Sequence, residues 1–310
     1  MTIFWGGMIS ILIPVYNYDV TLLVNTLSHA IDSSELFCEI IIGSDGCSKD
    51  YVSIYIALTK LEKVDLYRSE VNIGRAAIRN RLIEKASGEW LLFIDADALI
   101  EGNASDYLGK WHDYISSPTV ICGGTAYPPL APEDPDKYLR WHYGFLHEQK
   151  STKERNKEPY ASFSGFNFLI EKNLFSRIKF NEELRNYGHE DTLLGYQLKK
   201  AGVNILHIDN ALIHDGVESN REFLEKTQEG IQNLSILYDK VTDRKTFAST
   251  VKILKIYRRL RFIGADRIIT RIFIKKRRRM EIILRRKKCS LKIFLFYKLG
   301  LFSYIRLESR

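Results

Sequence analysis

Asp95 and Asp97 stand one residue apart, directly after the apolar run Trp90-Leu91-Leu92-Phe93-Ile94. Such a run predicts a strand buried on both faces, and its carboxyl end opens on the crevice where open α/β sheets bind ligands. Two carboxylates on a bend there can converge on one hard cation that also grips a diphosphate. An Asp-x-Asp after a strand is also ordinary turn and helix-cap punctuation, so the neighbours decide. Three further clusters follow other β runs: Pro14-Val15-Tyr16-Asn17, Ser44-Asp45-Gly46, and Asn72-Ile73-Gly74 leading to Arg79-Asn80. Each alone is a plausible turn or helix entry. Four at one edge of one parallel sheet describe a nucleotide crevice, because that edge gathers helix N-termini and loop polar groups.

The elements that must hold these clusters alternate along the first 130 residues. Ile9 to Pro14 reads as a strand, Val20 to Asp32 as a helix, Cys38 to Gly43 as a strand and Asp50 to Glu62 as a helix. Val64 to Arg68, Gly74 to Ala86 and Trp90 to Ile94 continue as strand, helix and strand. Strands separated by helices of this length predict right-handed βαβ crossovers and a mostly parallel, Rossmann-like sheet flanked by helices. Beyond Asp97, strands are expected at Val120 to Thr125, Phe166 to Ile170 and Val203 to Ile208, and a helix at Asp191 to Ala201. Tyr127 to Glu158 carries four prolines and an aromatic piece, Tyr138 to Phe145. It reads as a long irregular binding loop in which Trp141 or His142 is either a sugar platform or an apolar helix face.

In order, these motifs resemble the family 2 glycosyltransferases, inverting enzymes of the GT-A fold, over about Ile9 to Asn220. The matching residues are Pro14-Val15-Tyr16-Asn17, Asp45-Gly46-x-Ser48, Asn72-x-Gly74 with Ala77-x-Arg79-Asn80, Phe93 to Ala98, and Gly188-His189-Glu190-Asp191. One departure is visible: the family often shows Asp-Asp-Gly-Ser where this chain has Ser44-Asp45-Gly46-Cys47-Ser48. The resemblance implies a nucleotide-sugar co-substrate, a UDP-sugar first among the candidates, held by Pro14, Tyr16, Asn17, Asp45, Asn72, Gly74, Arg79, Asp95 and Ala96. Within that set Asp45 would accept from the uracil imide, Tyr16 would pack on the ring, and Asp95 would sit near ribose and metal. Asp97 would ligate Mn2+ or Mg2+, and His214, in Leu212-Ile213-His214-Asp215-Gly216, would be a further ligand or a loop histidine with no such role. Asp191 would be the catalytic base, taking the acceptor hydroxyl's proton. The plain alternative is an acidic pair, Glu190-Asp191, complementing a helix dipole. Gly123-Gly124 and Ser164-Gly165-Phe166-Asn167 are expected to frame the acceptor side.

At 310 residues the chain can bury a sizeable core, and 45% hydrophobic with 27% charged residues is ordinary globular composition. The four cysteines are scattered without a Cys-x-x-Cys pair, which argues against a zinc cluster or a disulfide framework. Met1 to Met8 holds no Lys or Arg and does not read as a signal peptide. No stretch reaches the roughly 18 uninterrupted apolar residues of a spanning helix.

The net charge of +8 hides a split. Residues 251–310 carry 20 Lys and Arg against 3 Asp and Glu, while the preceding 250 carry 26 against 35. Residues 1–240 are expected to form the catalytic domain and 241–310 a basic amphipathic helical region. In that tail apolar residues recur at helical spacing from Ile253 to Phe273, with Lys275 to Arg279 as a cationic run and aromatics from Phe294 to Tyr304. The pattern suits an anionic membrane surface, or a helix lying over the acidic part of the same chain. No helix-turn-helix, zinc finger or RNP motif appears, so no nucleic-acid partner is expected. The combined expectation is a cytoplasmic enzyme, peripheral on the inner face of the membrane, serving a glycan or lipid-linked acceptor in cell-surface polysaccharide biosynthesis. A sugar nucleotidyltransferase would need a Gly-rich loop after the first strand, and Pro14 to Tyr18 is not one; a non-catalytic binding module would need neither Asp97 nor Asp191.

Overall fold

The structure is a computed structural model that describes residues 7–34, 36–115, 120–175, 177–183, 188–286 and 289–308. Residues 1–6, on which most of the N-terminal expectation rests, lie outside the described residues. The chain resolves into two compact units, the first made of Met1–Ala126, Lys150–Arg185 and Gln197–Gly216, the second of Tyr127–Gln149, Asn186–Tyr196 and Val217–Arg310.

In the first unit the chain alternates β1 (Ile9–Val15), α1 (Thr21–Asp32), β2 (Cys38–Asp45), α2 (Lys49–Leu58), β3 (Val64–Ser69), α3 (Arg75–Lys85) and β4 (Trp90–Ile94). Then follow β5 (Ala98–Leu99), α4 (Ala104–His112), β6 (Val120–Cys122) and β7 (Thr125–Ala126). After α5 (Tyr138–Tyr143) of the second unit come α6 (Thr152–Lys157), β8 (Asn167–Glu171), α7 (Lys172–Phe175), α8 (Glu190–Lys200), β9 (Ile205–His207) and β10 (Leu212–His214). Helix α8 starts within the second unit's residues and ends within the first's.

Among the described residues seven strands pair in the order β3-β2-β1-β4-β8-β6-β9. All pairings are parallel except those of β8, which runs antiparallel to β4 and β6. The expected mostly parallel sheet is therefore present. Its central strands β1 and β4 are apolar and buried along nearly their whole length, because helices cover both faces. Pro14 sits in β1 beyond Leu12, the last residue paired to β4, so its missing N–H costs no bond to that strand. The buried Ser10 donates to Glu39 at 2.5 Å and accepts from Gly88 N at 2.8 Å, which satisfies the one hydroxyl in the strand.

The second sheet of this unit is small and was not expected: β5, β10 and β7 pair in that order. Arg155 holds the neighbouring loops. Its buried guanidinium donates to the carbonyls of Cys122, Gly123 and Ile208 at 3.2, 3.1 and 2.8 Å, and its Nη1 lies 3.2 Å from His207 Nδ1. Replacing it by Met removes a donor from three carbonyls, of which Cys122 O and Gly123 O keep backbone donors in Ile208 N and Asn210 N. Arg155→Met is expected to cost about 2 to 4 kcal/mol in a urea melt. Because Arg155 donates to Nδ1, His207 is the Nε2–H tautomer, donating to Pro159 O at 3.0 Å. Burial, above all, pushes its pKa from the ordinary 6.5 down to about 4. The unfolded chain then takes up this proton first. Stability is full above pH 6.5 and falls as pH drops toward 4, by up to about 3 kcal/mol. His207→Gln should flatten urea midpoints across that window; an unchanged slope would contradict the assignment.

The second unit holds α5, α9 (Asn220–Lys240), α10 (Arg244–Thr250), α11 (Lys252–Phe262), α12 (Asp266–Leu284) and α13 (Leu291–Glu308). The proline-rich segment is not the irregular loop expected. Asp134 caps a short turn with Pro135 at its first position, and α5 continues it, because proline costs nothing where the N–H is unpaired. Trp141 is 9% exposed, donates Nε1 to Pro128 O at 2.8 Å and stacks on Phe145 at 5.3 Å, so its ring is used inside the unit. Helix α9 opens on a capping box between Ser219 and Glu222. The aromatics of α13 are inward: Phe294, Tyr297 and Phe302 are fully buried. No described helix is long and apolar enough to cross a membrane.

Candidate functional site

β1 and β2 end side by side, with Val15 opposite Ser44. The loops that follow are stitched together. Asn17 adopts a left-handed φ of 48°, and its Oδ1 accepts from Ser48 N at 2.8 Å. Its own N–H donates to Cys47 Sγ at 3.3 Å, and the thiol donates to Val15 O at 3.4 Å. Cys47 thus closes this turn as a small side chain able to give and take a hydrogen bond. Tyr16 stands beside it with its ring 57% exposed.

Asp45 is 3% exposed, and both carboxylate oxygens are engaged. Oδ1 accepts from Ile73 N at 2.6 Å and Oδ2 from Gly74 N at 3.0 Å. Burial pushes its pKa up, and these two N–H groups pull the other way. A carboxylate has about four acceptor positions, so Asp45 anchors the Asn72-Ile73-Gly74 loop and keeps capacity for a further donor. Gly46 makes the approach possible: at φ 66°, an added Cβ would lie 2.3 Å from Asn72 N. Gly74 caps α3 at φ 92°.

From α3, Arg79 is 2% exposed and places Nη2 2.5 Å from Asp95 Oδ1. Arg75, one turn earlier, reaches Asp95 Oδ2 at 3.1 Å. Arg75 was not anticipated; the four-residue spacing to Arg79 was its available signal. Asn80 faces elsewhere, exchanging hydrogen bonds with the backbone of Phe180 at 2.9 and 3.2 Å. Asp95 is thus a clamped acid. Losing the buried guanidinium leaves it half-paired, and Arg79→Leu is expected to destabilise the fold by about 3 kcal/mol in a urea melt.

The small sheet brings Asp97 and His214 together. β10 runs antiparallel to β5 with His214 opposite Ala98. Asp215 N donates to Asp97 O at 2.9 Å, and His214 Nε2 lies 3.4 Å from Asp97 Oδ2. Gly216 packs so closely that an added Cβ would stand 2.5 Å from Asp97 Cβ. His214 lies against Phe166, ring centroids 5.5 Å apart. Burial pushes the Asp97 carboxyl above the usual range; His214 opposes that and Asp95 adds to it. Tyr18, also not anticipated, has its phenol pushed up by burial and then by Asp97 and Asp215.

A half-buried acid with a second acid nearby is a place that a cation relieves. Among the described residues no group of three or more His, Cys, Asp or Glu converges as a metal cage. The Asp97–His214 pair suits instead a divalent ion that completes its shell with diphosphate oxygens and water. The glycines Gly123 and Gly124 admit this chain's own groups: an added Cβ on Gly123 would meet Asn210 O at 2.4 Å, and on Gly124 the Arg155 guanidinium at 2.7 Å.

Asp191 belongs to the second unit. Glu190 and Asp191 open α8 after Gly188 at φ 95° and His189 at φ 72°, a left-handed pair that turns the chain sharply into the helix. Asp191 Oδ1 accepts from Thr192 N at 2.6 Å, and His189 Nδ1 lies 3.1 Å from Thr192 Oγ1. A non-glycine residue in that region is held at a cost, which such segments bear most often near functional groups.

Comparison with known proteins places the fold and the family. A putative teichuronic acid biosynthesis glycosyltransferase, TuaG of Bacillus subtilis, is 32% identical over 44% of this chain and 53% of its own length. The chain spans about half or less of the curated relatives it matches. The mannosyltransferase PcManGT from Pyrobaculum calidifontis, solved with GDP-Man and Mn2+, superposes with a TM-score of 0.56 at 12% identity, over 98% of this chain and 87% of that one. TarS 1-349 of S. aureus, solved with UDP-GlcNAc, gives a TM-score of 0.51 at 16% identity, over 97% and 92%. At such identities these structures speak for the fold alone, which is the expected GT-A fold. The profile of the family described as Glycosyl transferase family 2 matches residues 10–179, more than half of the chain. The chain belongs to glycosyl transferase family 2.

Proposed function

We propose that this protein is an inverting, metal-dependent glycosyltransferase that moves a sugar from a nucleotide-sugar donor, a UDP-sugar first, to a hydroxyl of a glycan or lipid-linked acceptor. The observation that carries the reading is the gathering within one unit of Asp45 and His214 at strand ends, Gly74, Asp95 and Asp97 in the adjoining loops, and Arg79 in the first turns of α3. Tyr16 would pack on the base, Asp45 would accept from it, and Asn17, Asn72 and Ala96 would shape the surrounding backbone. Pro14 would stiffen the end of the strand that leads there. Asp95, paired to Arg79, would sit near the ribose. Asp97 and His214 would hold Mg2+ or Mn2+, which when bound offsets charge growing on the leaving diphosphate. Asp191 would take the acceptor proton, and inversion needs no covalent intermediate.

Residues 1–240 would carry catalysis and 241–310 would meet an anionic membrane surface, placing the enzyme on the cytoplasmic face in cell-surface polysaccharide assembly. Support for that setting comes from the relative named for teichuronic acid biosynthesis and from the basic helices. A thermal shift tests the donor half. UDP with Mn2+ at a hundred-fold excess over its dissociation constant should stabilise the fold by about 2.7 kcal/mol, and by far less with EDTA. GDP outperforming UDP would reassign the base; no shift with any nucleotide would sink the reading.

A further inference from the structure

Helices α11 and α12 bury one set of apolar side chains and expose another. Leu254, Tyr257, Phe273, Met280 and Leu284 are buried and supply the packing these helices need. Phe262 is 92% exposed and Ile263 71%, with Ile268 at 57% further along. Phe262 and Ile263 lie at the turn between the helices, where Gly264, at φ 71°, reverses the chain with nothing within 4 Å of an added Cβ. A solvated turn has no reason to carry Phe and Ile, since each loses about 1.5 to 3 kcal/mol of burial there.

Beside this turn lies a concavity of about 780 Å³. Lys245, Lys255, Arg258 and Arg259 line it together with Phe262 and Ile263, and no carboxylate does. Asp266, the acid nearest in sequence to the turn, is buried. Four cations around a hollow with apolar side chains at its lip match an anionic head group attached to a hydrocarbon. A nucleic acid would satisfy the cations and leave the exposed Phe and Ile against water or phosphate.

We propose that the α11–α12 turn is a bilayer anchor: Phe262 and Ile263 insert into the interface while the concavity seats the phosphodiester of an anionic phospholipid. This deepens the membrane reading above, on which it rests, by naming the contact. Its readout is independent of sugar transfer.

The test is co-sedimentation of the full chain with vesicles of pure phosphatidylcholine, or of an equal mixture with phosphatidylglycerol, across a salt series. The wild type should bind the mixed vesicles and lose them as salt rises. Phe262→Ser with Ile263→Ser should lower partitioning by at least about tenfold with the salt dependence kept. Arg258→Glu with Arg259→Glu should lower it on the order of a hundredfold and flatten that dependence. All four positions are exposed, so the variants should keep the wild-type melting curve. Wild-type binding that both variants retain would overturn this anchor and leave the membrane reading standing. Indifference of the wild type to mixed vesicles would overturn both. Displacement of bound vesicles by an unrelated DNA duplex at equal phosphate would put a nucleic acid in the lipid's place.

Discussion

Asp97→Ala should abolish sugar transfer, lowering turnover by at least about a thousandfold, while leaving the protein folded. The fold survives because Asp97's structural bonds are in its backbone: its carbonyl accepts from Asp215 N at 2.9 Å, and Ala keeps the Cβ against which Gly216 packs. Removing the carboxylate also removes a group that burial penalises. The variant without ligand should therefore melt at or slightly above the wild-type temperature. What it would lose is one of the two side-chain ligands proposed for the cation, with His214 left alone at the end of β10. Stabilisation by UDP with Mn2+ should vanish, and the loss should exceed that of Asp97→Asn, which keeps the shape. Undiminished turnover in Asp97→Ala would show that this carboxylate holds no metal in the reaction.

Asp191→Asn should reduce turnover by about 10² to 10⁴ with little change in donor affinity. The amide oxygen of Asn can still accept from Thr192 N, so the start of α8 is preserved and the lost property is basicity. Were Asp191 only an acid placed at a helix N-terminus, the same change would cost a few tenths of a kcal/mol to about 1 in stability and leave turnover intact. Glu190→Gln is the matched control. A large loss there with none at Asp191 would move the base by one residue.

β1, β2 and β4 were legible because both faces of each are covered, so their apolar runs are continuous and their ends are marked by polar loops; the edge strand β3 showed instead as a short run between two helical patterns. The clusters at those ends followed, since a strand's carboxyl end is where the chain must turn. β5, β7 and β10 were hidden for the opposite reason. Two or three residues are too few to show a period, yet they are what sets His214 beside Asp97. Arg75 was hidden behind Arg79, because a second basic residue on a helix reads as solvated surface until the acid it meets is known. In the tail, an aromatic stretch broken by Lys298 suggested a surface helix. α13 instead buries Phe294, Tyr297 and Phe302, and the Lys298 ammonium rests 4.7 Å from the Tyr143 ring centroid. The interleaving of the two units is only half marked in composition: prolines from Pro128 to Pro135 follow the departure at Ala126, but nothing distinguishes the re-entry at Lys150 or the crossing within α8.

The central claim, metal-dependent transfer from a nucleotide sugar, is tested most directly by nucleoside diphosphate release. UDP-, GDP- and dTDP-sugars would be offered in turn with Mn2+, Mg2+ or EDTA, with and without lipid-linked glycan. Release from one UDP-sugar, abolished by EDTA and accelerated by an acceptor, is the predicted result. Release that persists in EDTA, or none from any donor in the presence of acceptor and metal, would contradict it.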